Sequence, residues 1–130
     1  MINSNFEIKI IDFGFSIHST QENLDLFCGT PNYMSPEIVL KKNYCGKAND
    51  IWSFGVLAFK LLTGVFPFAA QNTSKLHKKI LSLDFQVPSF LGEDAKRFFF
   101  SCFKIAPQSR PSASRPVSYT HLTLPTTPYV

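Results

Sequence analysis

The sequence is poor in cysteine, and its three cysteines form no framework. Cys28, Cys45 and Cys102 are odd in number and contain no Cys-x-x-Cys pair. A disulfide scaffold and a cysteine zinc site are therefore not expected, and a reducing compartment, cytoplasmic or nuclear, is the default. The opening MINSNFEIKI lacks a basic stretch followed by an apolar one, so it carries no secretory pattern. Long hydrophobic runs are also missing. The most apolar stretch, IWSFGVLAFKLLTG, is too short for a bilayer and contains Lys60, so it reads as a buried core helix. Charge is sparse, at 17% of residues with a net +4. The lysines at 41–42 and at 75, 78 and 79 lack the interleaved aromatics of a nucleic-acid surface and read as solvated faces, so neither nucleic acid nor membrane is expected as a partner. His18, His77 and His121 have no Cys or acid at ligand spacing, which argues against a histidine metal site.

What is present is apolar and aromatic. The chain has 130 residues, 45% of them hydrophobic, and fourteen are Phe. A chain of this length suffices for one domain that buries about two-thirds of its unfolded surface. Residues 7 to 11, EIKII, read as a strand. Phe15 to Tyr33 shows no period and reads as a long loop, of the kind that is functional or disordered. Ser35-Pro36-Glu37 combines a cap candidate, a first-turn proline and an acid, and opens a short helix through Leu40. Asn49-Asp50 offers a second cap, before a helix apolar on nearly every face up to Leu62 and stopped by Gly64. Such a helix must be surrounded by protein. Residues 72 to 83 form an amphipathic candidate with Leu76, Ile80 and Leu83 on one face. Gly92, Glu93 and Asp94 open another helix, in which Ala95, Phe98, Phe99, Cys102 and Phe103 recur at helical spacing until Pro107.

After Arg115 the texture changes. The stretch PVSYTHLTLPTTPYV contains no acid, no Lys and no Arg. Its letters VSYTHLTLPT resemble an in-frame translation of a transposase-type sequencing-library adapter. Residues 116–130 are therefore expected to be a non-native tail and are set apart from fold reasoning.

Asp12-Phe13-Gly14 taken alone reads better as a turn aspartate that ends a strand. Its followers give it weight: CGTPNYMSPEIV at 28–39, NDIWSFGVLAFKLLTGVFPF at 49–68 and QSRPSA at 108–113. In this order, the set resembles the large lobe of eukaryotic protein kinases, over residues 7 to 115, and its texture is similar to calcium/calmodulin-dependent, AMP-activated or polo-like Ser/Thr kinases. The resemblance implies a mainly α fold: a short strand pair at the entrance, an activation segment, then three to four helices, with residues 1–115 as a partial kinase domain. It implies ATP and Mg²⁺ as cofactors and a protein substrate with a Ser/Thr acceptor. Asp12 would be the metal ligand, Phe13 the packing residue that sets its direction and Gly14 the pivot, the three forming the cofactor-binding turn. Thr30, after Gly29, would contact the catalytic loop beside the acceptor, and Phe15 would favour Ser there. Glu37 would pair with Arg110 to lock the end of the activation segment to the lobe. Asp50 would brace the catalytic loop, while Trp52 and Gly55 serve packing. Cys28 reads better as a small hydrophobe than as a nucleophile.

Departures from the family pattern are substantial. The Gly-rich loop, the small-lobe Lys and its Glu partner, the His-Arg-Asp base and the second metal-binding Asn have no counterpart in these residues. This chain by itself is expected to transfer no phosphate and to leave an apolar patch uncovered. Leu26 stands where related kinases often carry a phosphorylated Thr, leaving Ser16, Ser19 or Thr20 as other hydroxyls, and Ala106 replaces an Asp. The alternatives to part of an active kinase are a pseudokinase or scaffold, and a free-standing binding half-lobe.

Overall fold

The computed structural model describes residues 1–18 and 24–113, and the expectations for Ser19, Thr20, Arg115, His121 and the 116–130 tail lie outside them. The architecture is mainly helical. Helix α1 spans Pro36–Val39, α2 Gly46–Thr63, α3 Thr73–Ser82 and α4 Glu93–Cys102, with 3₁₀ turns at Pro31–Tyr33 and Pro107–Ser109. α2 is the central element: α4 packs on it, as do both 3₁₀ turns, while α3 lies against α1.

The α1 start agrees with the sequence reading and the α2 start does not, and neither polar cap candidate bonds a helix amide. Ser35 does occupy the cap position of α1, but its side chain bonds no helix amide. α2 begins at Gly46 behind Cys45, so Asn49 and Asp50 lie inside the helix. The Ser35 hydroxyl donates to Asn49 Oδ1 at 2.8 Å. Each cap candidate satisfies the other, and the two helix entries are thereby tied together. Asn72 behaves as a local cap should, its side chain accepting from the Lys75 amide at 2.9 Å. α2 stops at Gly64, which takes the left-handed conformation at φ 78° and donates to Lys60 O.

The interior is built from aromatic rings. Trp52 is fully buried, stacked on Phe68 at 5.5 Å and met edge-on by Phe103 at 5.1 Å. Phe59 meets Phe99 at 5.0 Å, and Phe85 meets Phe103 at the same distance. The helical pattern read for α4 selects buried positions throughout: Ala95, Phe98, Phe99, Cys102 and Phe103 all lie in the core. Burial pushes the Cys102 thiol up to about 11, so it behaves as a small apolar side chain.

Two expectations need correction. α2 is not enclosed: Phe54, Leu57 and Leu61 are 54, 43 and 76% exposed, although the Phe54 ring meets Phe98 of α4 at 6.0 Å. Nor do residues 7–11 form a strand. Ile2 and Ile8 make an isolated antiparallel bridge in a small turn, whose Asn3 side chain accepts from the amides of Asn5 and Glu7. Beyond Lys9 the apolar residues find no partner among the described residues, and Ile10 is exposed. The entrance strand pair thus reduces to one bridge.

Gly55 marks where α2 and α4 approach most closely. A Cβ built there would meet Cys102 Cβ at 2.8 Å and the Phe103 ring at 3.1 Å. In an open helix, Gly→Ala gains roughly 1 kcal/mol. Here overpacking, at about 1–3 kcal/mol, opposes and outweighs it. Gly55→Ala is therefore expected to lower the urea midpoint, and an increase would show that the helices separate at little cost.

Candidate functional site

Asp12 sits in the left-handed region at φ 62°, a conformation that an Asp tolerates when its side chain bonds local backbone. Its Oδ1 accepts from the Gly14 amide at 3.3 Å, and the Ser16 amide donates to Phe13 O at 3.0 Å, which closes the turn. The carboxylate is exposed. Phe13 does not pack into the helical core, and its ring is largely exposed, so no packing contact fixes the turn's direction. Among the described residues no three His, Cys, Asp or Glu side chains gather as a metal cage. One open carboxylate instead suits a cation that keeps most of its ligands as water and phosphate, as Mg²⁺ does. Asp12 thus fits as a single hard ligand.

Gly29 and Thr30 lie on the rim of a small cavity of about 60 Å³, lined also by Cys28, Tyr33, Met34, Ile38, Asn49 and Ser53. Thr30 precedes the 3₁₀ turn, its carbonyl accepting from the Tyr33 amide at 3.0 Å. The turn is pinned from two sides. Asn32 Nδ2 donates to Phe68 O at 3.2 Å, and Ser53 Oγ to Tyr33 O at 3.3 Å. Thr30 itself is exposed, and its hydroxyl bonds no described residue. No described hydrogen bond links it to Asp12.

Glu37 and Arg110, 73 residues apart, form a buried bidentate pair. Arg110 Nη1 donates to Oε1 at 2.6 Å, and Nη2 to Oε2 at 2.7 Å. The remaining fork is also used: Nε donates to Lys104 O and Nη1 to Ala48 O, each at 3.0 Å. The guanidinium lies 5.1 Å from the Trp52 ring centre. Pro36 places Glu37 in the first turn of α1, and the Pro107–Ser109 turn delivers Arg110. Asp50, in contrast, stands on the outer side of α2 and bonds no described residue. Desolvation by the surrounding protein raises its pKa above the ordinary aspartate value.

Sequence reasoning passed over Tyr44, a lone aromatic in the polar stretch KKNYCGK. It is buried, and its hydroxyl donates to Leu26 O at 2.7 Å. No periodicity flags a single residue between helices, so the only available signal was its composition.

Removing Arg110 would strand the buried Glu37 charge. Arg110→Ala is expected to cost about 3–5 kcal/mol and greatly lower the melting temperature. Arg110→Lys should rescue only part of this, since one ammonium cannot reproduce the fork. An unchanged melt in Arg110→Ala would overturn the account. Asp50 gives the opposite sign. Because its folded pKa is raised, the cost of holding its carboxylate is absent below the unfolded pKa and grows as pH rises through the folded value. Asp50→Asn should raise the melting temperature at pH 7, and the gain should vanish on titration to about pH 3, below both values.

The model of the protein kinase domain matches residues 1–122. The chain is 37% identical to the "Probable serine/threonine-protein kinase MARK-A" of Dictyostelium discoideum over 123 residues, covering 94% of this chain and 12% of that protein. It is 40% identical over 101 residues to CBL-interacting serine/threonine-protein kinase 9 of Arabidopsis thaliana, covering 75% of this chain and 23% of the relative. With CBL-interacting protein kinase 3 of Oryza sativa subsp. japonica it shares 39% over 112 residues, 83% of this chain and 25% of the relative. The chain thus spans a quarter or less of the length of these relatives. The family match covers far more than half of the chain, which belongs to the protein kinase family, in its eukaryotic serine/threonine branch.

Proposed function

We propose that these residues serve ATP-dependent phosphoryl transfer to Ser or Thr of a protein substrate, as part of a kinase domain to which residues 1–115 contribute. The observation that carries this reading is the buried Glu37–Arg110 pair, which fastens the segment bearing Gly29 and Thr30 onto α2. Phosphoryl transfer requires positioning more than covalent chemistry, and a segment fixed at its far end is what positioning demands. When bound, Mg²⁺ would neutralise charge developing on the phosphates. Asp12 would offer that ion one carboxylate oxygen, within the turn formed with Phe13 and Gly14. Thr30, exposed and with its hydroxyl bonded to no described residue, would meet the substrate next to its acceptor. Asp50, whose carboxylate bonds no described residue, would hold backbone amides of a catalytic loop.

The supporting chemistry is otherwise modest. No helix among the described residues is long and apolar enough to cross a membrane.

The test uses the complete reading frame that contains these residues. With ATP and Mg²⁺ it should phosphorylate Ser/Thr peptides, and Asp12→Asn should lower kcat by about 10²–10³-fold or more without changing the melting temperature. The 130-residue chain, assayed alongside, should transfer none. Full activity in Asp12→Asn would refute its metal role, and transfer by the short chain would refute the need for the missing groups.

A further inference from the structure

The stretch from Leu24 to Gly29 leads directly to Thr30, yet it has little of its own to hold it in place. Asp25, Leu26, Phe27 and Gly29 are exposed, and the stretch forms no helix or named strand. Its hydrogen bonds to the described remainder number three, and all of them are made by one residue. The Leu24 amide donates to Tyr44 O at 2.8 Å, and the Tyr44 amide returns a bond to Leu24 O at 3.0 Å. The Tyr44 hydroxyl then reaches two residues further and donates to Leu26 O at 2.7 Å. Phe27 lies against the same ring, with centroids 6.1 Å apart.

We infer that Tyr44 is the positioning residue of the Thr30 segment: its backbone sets the register at Leu24, and its hydroxyl extends the hold to Leu26, so that residues 24–29 are fixed by neutral hydrogen bonds. A backbone bridge alone would leave five residues between Leu24 and Thr30 without an anchor. The phenol divides that span, because a ring buried at one end and bonded at the other is a rigid strut with few rotamers to lose. The hold needs no charge on the segment, which suits a sequence with Leu at position 26 and an acid beside it. The hydroxyl can donate only while protonated. Burial, with lesser contributions from Cys28, Asp50, Asp25 and Glu37, keeps its pKa above the ordinary tyrosine value. That Thr30 lies at the acceptor rests on the proposed function; the clamp itself does not, and it can be read without any kinase assay.

Cys28, half-buried beside the clamp, is a native reporter, and Cys102 in the core reports global opening. The experiment measures alkylation of each thiol by iodoacetamide in the 130-residue chain, resolved by peptide mass spectrometry. Tyr44→Phe keeps the ring and removes the hydroxyl. It should speed modification of Cys28 about fivefold, the ratio expected for one net hydrogen bond, with Cys102 unchanged. Amide exchange at residues 26–29 should rise in parallel. Tyr33→Phe, the same deletion at a ring that lines the cavity with Cys28, should leave Cys28 at its original rate. An unchanged Cys28 rate in Tyr44→Phe overturns the inference. So does equal acceleration of Cys28 and Cys102, which would mean that the hydroxyl supports the whole fold, or acceleration of Cys28 by Tyr33→Phe.

Discussion

The described structure depends on one ion pair. Taking Glu37 and Arg110 out of water costs several kcal/mol per charge, and Coulomb attraction offsets this only when geometry and remaining hydrogen bonds are good. Both conditions hold. The carboxylate is met by two parallel N–H groups, and the rest of the guanidinium finds carbonyls of α2 and of the stretch after α4, with Trp52 against its face. The pair therefore joins α1, the start of α2 and the Pro107–Ser109 turn at one point. Its role is specific as well as energetic: an arrangement that buried either group without the other would leave a charge alone in the interior.

From that point the molecule grades outward in order. The aromatic core behind Trp52 is dense, and α4 is pressed onto Gly55. The Pro31–Tyr33 turn is tied by Asn32 and Ser53 to neighbours on α2 and at Phe68. Further toward the start of the chain, hydrogen bonds become local, and the Asp12 turn closes on itself. The groups read as touching phosphate or acceptor thus lie toward the exposed end of this gradient, while the groups that hold the segment lie at its buried end.

Much of this was legible in the sequence where periodicity speaks. The spacing of Ala95, Phe98, Phe99, Cys102 and Phe103 named a buried face, because a helix repeats its face every three or four residues whatever packs on it. Leu76 and Ile80 were legible for the same reason. Caps were less so. A polar residue before a helix signals a cap only if its side chain has no better partner, and Ser35 and Asn49 are better partners for each other. The EIKII stretch failed as a strand because strand formation is a property of pairs, and a sequence shows one member. Kinase membership was legible through motif order, whereas the anchors that motifs do not include, such as Tyr44, Ala48 O and Lys104 O, emerge only once distant segments meet.

The separation of Glu37 from Arg110 also has a meaning in time. At a synthesis rate of about 5–20 residues per second, the arginine is made roughly 4–15 s after its partner. Throughout that interval Glu37 lacks the Arg110 fork, and the Ser35–Asn49 bond is left to tie the entry of α1 to α2. Local helices can form and break many times over in the same period. On the ribosome, then, this part of the fold is a set of helices awaiting a late residue, and its closing event is the arrival of Arg110.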